Sequence, residues 1–249
     1  MTAAPGHDPT APVAIEPAQR TAARIVGLAY VLALPPAVFT EFFVLGRLVT
    51  SDAAETARNI LAHERLFRLG VASNLSVFVL DVILIAALYV TLKPVHRGLA
   101  LLALLWRTIE TMALVGTTLS DFAVLRLLGG AGYLHALEPE RLAALARLAL
   151  SAHGAAYQVG LIFAGLGSTV FCWLWLKSGY IPKALAAWGI FASAFMGACA
   201  FTFIVFPEAE KVVSILYYGT PIFFFELTTG LWLTLRGIRP RVAAARDRA

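Results

Sequence analysis

Six ionisable residues sit inside long apolar runs of this chain: Glu41, Asp81, Arg107, Glu110, Asp121 and Glu226. At the centre of a membrane helix, such a residue costs about 2.5–3.5 kcal/mol on the insertion scale. Residues that costly face a bundle interior or a wet cavity and point to function by default. At roughly 100° per residue on a helix, Arg107, Glu110, Leu114, Thr118 and Asp121 fall on one polar stripe. Asn74 and Asp81, seven positions apart, share a face of another helix. The spacing predicts that Asp81, Arg107, Glu110, Glu226 and Asn74 form one intramembrane polar cluster, with Thr118 on the same surface. Asp81, Glu110 and Glu226 fall near the middle of their runs, with Arg107 as the one fixed cation among them. Apolar surroundings and mutual repulsion both oppose full ionisation. At least one of the three acids is therefore expected to hold a proton at neutral pH. It would then serve as a proton carrier, as a general acid, or as a hydrogen-bond donor with no chemistry.

A second polar set falls toward the other end of the runs: Glu41, Asp121, His153 and Tyr157. His153 and Tyr157, one helical turn apart, are expected to form an interfacial hydrogen-bonding pair. His63, His135 and His153 belong to the same side, but no H-x-x-x-H or H-E-x-x-H fixes two ligands on one helix face. No metal and no cofactor are expected. The sequence carries no phosphate loop, serine nucleophile elbow or dinucleotide fingerprint.

The elements that position these residues follow from composition. The chain has 249 residues, 59% of them apolar and 14% charged, with a mean hydropathy of +0.78. Soluble domains sit near 45–50% apolar and about 25% charged. Disorder, a coiled coil and an ordinary soluble enzyme are excluded, and the lipid bilayer is the expected surroundings. At roughly 20 residues per crossing, the expected fold is an all-α, six-helix transmembrane bundle. Its spans lie near residues 25–46, 69–92, 99–128, 153–176, 184–206 and 212–235. Two longer connections predict short amphipathic surface helices near 52–63 and 139–150. The first opens on a capping-box pattern of Asp52 with Glu55, and the second on Pro139. Gly154, Gly160, Ala164 and Gly167 give the fourth span a small-residue face for close packing.

Residues 1–21, with four prolines, read as a flexible cytoplasmic tail, 22–238 as the membrane domain, and 239–249 as a basic cytoplasmic tail. The net charge of +5 comes largely from Arg236, Arg239, Arg241, Arg246 and Arg248. Such a cluster anchors a chain beside anionic lipid, and nucleic acid is not an expected partner. Lysine and arginine are denser in the short connections than in the long ones, which places both termini in the cytoplasm and the chain in the cell membrane. Cys172 and Cys199 lie in apolar runs and suggest no disulfide. The oligomeric state is left open.

The segments "RIVGLAYVLALPPAVFTEFFVLGRL", "AHERLFRLGVASNLSVFVLDVILIAALYVTLKPV", "AHGAAYQVGLIFAGLGS", "KSGYIPKALAAWG" and "FELTTGLWLTLRG" resemble the bacterial membrane proteins of the domain of unknown function 4386 family. The resemblance covers about residues 22–238. It rests on Phe67-Arg68-x-Gly70, Asp81, Ala152-His153-Gly154, Ser178-Gly179-Tyr180 and Glu226-Leu227, together with Glu41 and Arg107. It implies a six-helix integral membrane fold with no assigned activity.

Three classes of function remain. The first is a bundle whose acidic, polar cavity binds a small or lipid-like ligand, with or without proton coupling. The second is a membrane enzyme using Asp81, Glu110 or Glu226 as acid or base on a lipid or isoprenoid. The third is a non-catalytic partner protein whose polar core is structural. A cavity reaching the midplane acids separates the first two from the third.

Overall fold

A computed structural model of the chain describes residues 15–130, 132 and 136–239, except for the side chains of 210 and 211. The expected tails at 1–14 and 240–249, and His135, lie outside the described residues. No strand occurs among the described residues. The elements are α1 (Pro17–Val38), a π-helical segment (Phe39–Leu45), α2 (Gly46–Leu48), α3 (Ala53–Ala62), α4 (Glu64–Leu92), α5 (Arg97–Leu128), α6 (Pro139–Ser178), α7 (Lys183–Val205), α8 (Pro207–Val212) and α9 (Ile215–Leu235).

The boundaries follow local chemistry. α1 starts at Pro17, whose fixed φ and missing N–H suit a first turn. Residues 17–21, expected as tail, are therefore helical. Buried Gln19 ties this turn to α4, its Nε2 donating to the Thr91 carbonyl at 2.9 Å. Pro35 and Pro36 lie inside α1, and a proline removes one rung of the helical ladder and crowds the turn before it. The helix continues beyond them in the wider π winding, in which the Gly46 N–H reaches the Glu41 carbonyl. Thr40 Oγ1 braces the junction, donating to the Pro36 and Gly70 carbonyls. α3 is capped by Asp52, which accepts the Glu55 N–H at 2.6 Å.

The expected surface helix at 139–150 is not a separate element. It forms the first turns of α6, a single helix of 40 residues. No proline lies between Leu142 and Ser178, and one glycine at 154 costs a helix only about 1 kcal/mol. The stretch is also packed along one side, although Leu145 and Leu148 are 39% and 65% exposed. Ala146 and Leu150 pack with Val44, Leu48, Ile60 and Val124 into an apolar cluster.

Five helices are long and apolar enough to cross a membrane: Pro17–Leu48, α4, α5, α6 and α7. The expected sixth, α9, is a helix of 21 residues that is not among these five, its apolar run being interrupted by Pro221, Glu226 and four threonines. The six long helices pack as a ring in chain order: α1 on α4, α4 on α5, α5 on α6, α6 on α7, α7 on α9 and α9 back on α1. The last contact is close. A Cβ on Gly27 would lie 2.6 Å from Thr234 Oγ1 and 2.8 Å from the Gly230 carbonyl oxygen. Gly165 and Gly197 bring α6 and α7 together in the same way. On the expected small-residue face, Gly160 meets Leu114 and Gly167 meets the Arg107 stem, whereas nothing lies within 4 Å of a Cβ on Gly154. The Trp188 indole crosses from α7 to donate to the Pro221 carbonyl at 3.0 Å.

One apolar cluster, including Val26, Leu88, Leu92, Trp175 and Leu233, fills one end of the ring. The cluster around Leu48, Ile60 and Phe67 fills the other. The polar residues lie between the two.

Candidate functional site

Between the two apolar clusters lies a cavity of about 570 Å³. All six helices of the ring contribute to its wall, α7 through Met196. Most of the lining is apolar, with Glu41, Asp81, Arg107, Glu110 and Glu226 among the exceptions.

Arg107 organises one end. It is 7% exposed, beside Asp81 at 8% and Glu110 at 6%. Its Nη2 pairs with Asp81 Oδ1 across the α4–α5 contact. Its Nη1 pairs with Glu110, one turn along α5, at 2.8 Å, and donates to Ser168 Oγ on α6 at 3.3 Å. Thr111 Oγ1 donates to the other Asp81 oxygen. A buried ion pair of this kind loses its hydration and is held only where further hydrogen bonds satisfy its remaining atoms. Thr111 and Ser168 supply part of that. Glu110 Oε2 is held by the ion pair alone, and Arg107 Nε is buried without a hydrogen-bond partner among the described residues.

Asn74 is half-buried on the cavity wall. Glu226 lines the same cavity from α9. It does not ion-pair with Arg107, whose terminal nitrogens are taken by Asp81, Glu110 and Ser168. Thr117 lines the cavity, whereas Thr118 is buried outside it, a correction to the expected stripe. The drift arises because 100° per residue is an average, and one residue's rotation moves a side chain from a cavity to a helix contact.

At the opposite end the wall carries Glu41, His153 and Tyr157. Glu41 belongs to the π segment, and π windings recur at functional sites. The expected His153–Tyr157 pair is replaced by another. His153 Nδ1 bonds to Asp121 Oδ1 on α5 at 2.8 Å, and Asp121 is 2% exposed. α6 runs against α5 there, so the histidine meets a buried acid before it meets a residue on its own helix. Among the described residues no group of three His, Cys, Asp or Glu side chains could hold a metal ion.

Sequence reasoning missed Thr111, Ser168 and Tyr30. Thr111 lies four residues after Arg107 and shares its helix face, a signal that was present. Ser168 sits beside Gly167 on the small-residue face. Tyr30, 7% exposed, lines the cavity and packs edge-on to Phe225, and nothing in its local sequence marks it.

Between α1 and α9 the cavity wall reaches the outside of the bundle. Phe42, Leu216 and Phe224 line the cavity and are 47%, 58% and 53% exposed. The two helices touch at Gly27 and Gly230 and part farther along, beyond Pro35 and Pro36.

A family model described as "Domain of unknown function (DUF4386)" matches residues 25–237. The chain belongs to this family. No curated protein and no solved structure matches it. The matched region contains every cavity-lining residue, and together with the apolar helices it makes the chain a multi-pass membrane protein of uncharacterised function.

Proposed function

We propose that this protein is a six-helix bundle of the cell membrane, both termini cytoplasmic, whose cavity binds a small or lipid-like ligand entering from the bilayer between α1 and α9. The observation that carries this reading is the cavity itself. Its volume of about 570 Å³ falls within the 300–1,000 Å³ of ordinary ligand sites. An apolar wall ending in a few polar groups also matches how such sites hold amphipathic molecules.

The sixth crossing is supported by length and packing. The 21 residues of α9 span roughly 30 Å, the thickness of a hydrocarbon core, and α9 closes the ring against α1 and α7. Lys93, Arg97, Lys177, Lys183, Arg236 and Arg239 flank one end of the spans, which supports a cytoplasmic assignment for that end. Two of these arginines, Arg236 and Arg239, stack on Trp232 with ring distances of 4.9 and 4.7 Å, as interfacial anchors do.

A second reading, an acid–base enzyme on a lipid or isoprenoid, is favoured by the Asp121–His153 pair at the cavity wall. A buried carboxylate that fixes one ring nitrogen leaves the other available as a base. Proton coupling draws support from Glu41 and Glu226, which make no hydrogen bond or ion pair with a described residue. The structural reading draws support from Arg107, whose ion pair with Asp81 ties α4 to α5.

The test is extraction of molecules that copurify with the protein, compared with Ala37→Trp, which fills the cavity from α1. Binding predicts a discrete molecule recovered from the unaltered protein and lost from the variant. Identical bulk lipid from both would leave the polar core as structure alone. A recovered molecule that is chemically converted on incubation would favour the enzyme.

A further inference from the structure

We propose that the cavity selects a cationic amphiphile, a single-tailed amine whose ammonium group seats beside Glu226 while its tail lies along the α1 wall toward the seam with α9. This rests on the cavity being a ligand site and adds the charge of the ligand. Four carboxyl groups line the cavity, those of Glu41, Asp81, Glu110 and Glu226, against one guanidinium, that of Arg107. The guanidinium is already engaged. Both terminal nitrogens are held by Asp81, Glu110 and Ser168, and Nε is fully buried; His153, the other lining group able to carry positive charge, is already bonded to Asp121, so neither is free to receive an anion. On the acidic side the balance is reversed. Glu226 and Glu41 have no hydrogen-bonding or ion-pairing partner among the described residues. Glu110, 6% exposed, is by contrast already engaged, both of its carboxylate oxygens lying within 2.9 Å of Arg107 Nη1. An ammonium supplies three donors to acceptors of this kind.

The rest of the wall suits the same molecule. Tyr30, Phe223 and Tyr218 line the cavity near Glu226 in sequence or across the ring, and aromatic faces attract a desolvated cation. Ala33, Leu34, Ala37 and Val38 form an apolar strip along α1 toward the exposed Phe42. Glu41, eleven residues beyond Tyr30 on the same helical path, stands nearer the opening, where a negative charge draws cations in. A cavity of this size takes a drug-sized molecule rather than both chains of a phospholipid.

A chain-matched series tests the charge. Radiolabelled decylamine, decanol and decanoate are dialysed against the full-length protein in phosphatidylcholine nanodiscs, with empty discs as the partition control. Decylamine is expected to bind at least about tenfold more tightly than decanol, and decanoate to show no excess over empty discs. Glu226→Gln should reduce decylamine binding to the decanol level, with an unchanged size-exclusion profile and thermal unfolding transition showing that the variant is folded. Glu226→Asp, which keeps the charge, should retain the amine preference. Equal binding of decylamine and decanol, tighter binding of decanoate, or an unaltered amine preference in Glu226→Gln would overturn the cationic assignment and leave the cavity as a ligand site. Binding of none of the three would overturn both readings.

Discussion

Arg107 on α5 ion-pairs with Asp81 on α4, and neither is more than 8% exposed. Removing one member of a buried pair leaves the other charge uncompensated, a loss of about 3–5 kcal/mol. Arg107→Met should therefore be the most destabilising single change in the cavity, since it strands Asp81 and Glu110 together. Asp81→Asn should cost less, about 1–3 kcal/mol, because Glu110 still balances the guanidinium. The double variant should be more stable than the sum of the two losses implies, which denaturant unfolding in detergent micelles would measure. Additive losses would mean that the pair contributes no coupling.

The α1–α9 contact makes a prediction about size. Gly27→Ala places a methyl group 2.6 Å from Thr234 Oγ1 and 2.7 Å from the Thr234 nitrogen. The backbones must move apart, at a cost of about 1–3 kcal/mol. Gly154→Ala, with open space around it, should be neutral or stabilising by up to about 1 kcal/mol, from helix propensity alone. Thermal unfolding of the two variants side by side checks the contrast, and equal effects would contradict the packing at Gly27.

His153 should hold a fixed tautomer. Asp121 as a carboxylate only accepts, so the proton sits on Nδ1 and Nε2 is left bare in the neutral ring. Nitrogen-15 NMR of histidine-labelled protein should find the one-bond N–H coupling of this ring at Nδ1. Asp121→Ala should remove the preference and cost about 1–3 kcal/mol. A proton on Nε2 in the unaltered protein would refute the arrangement.

Orientation is checked by labelling in whole cells, in a chain whose Cys199 is changed to serine. Arg58→Cys in α3 and Pro94→Cys between α4 and α5 are both at exposed positions. A membrane-impermeant maleimide should label position 58 from outside and position 94 only after the membrane is opened. The reverse pattern would invert the proposed topology.

Helix existence was legible in the sequence wherever the apolar run was long, because burial in lipid leaves a composition signal that local chemistry does not blur. The start of α3 was legible from Asp52 and Glu55, whose cap is local. The end of the 139–150 segment was not, since Leu142 through Leu150 has a surface-helix pattern whether the helix stops or runs on. What accompanies its continuation is packing against Val44 and Ile60, residues about 85 to 105 positions earlier in the chain. The pairing of Asp81 with Arg107 could be read from helical periodicity, because both lie on chain-adjacent helices with opposed polar faces. His153 with Asp121 could not. It depends on the register between α5 and α6, which is set by contacts along their whole length and leaves no mark at either residue.

The ring also has an uneven construction. Five of its six neighbouring pairs are consecutive in the chain and are tied by a covalent connection at one end. The pair α1 and α9 joins the first long helix to the last, and no loop spans it. It is the clasp of the bracelet. A molecule passing there would stretch no segment of backbone, since only non-covalent contacts, among them those at Gly27 and Gly230 and the Tyr30–Phe225 ring contact, hold the two helices together. The proposed entrance thus falls where the polypeptide itself offers no restraint.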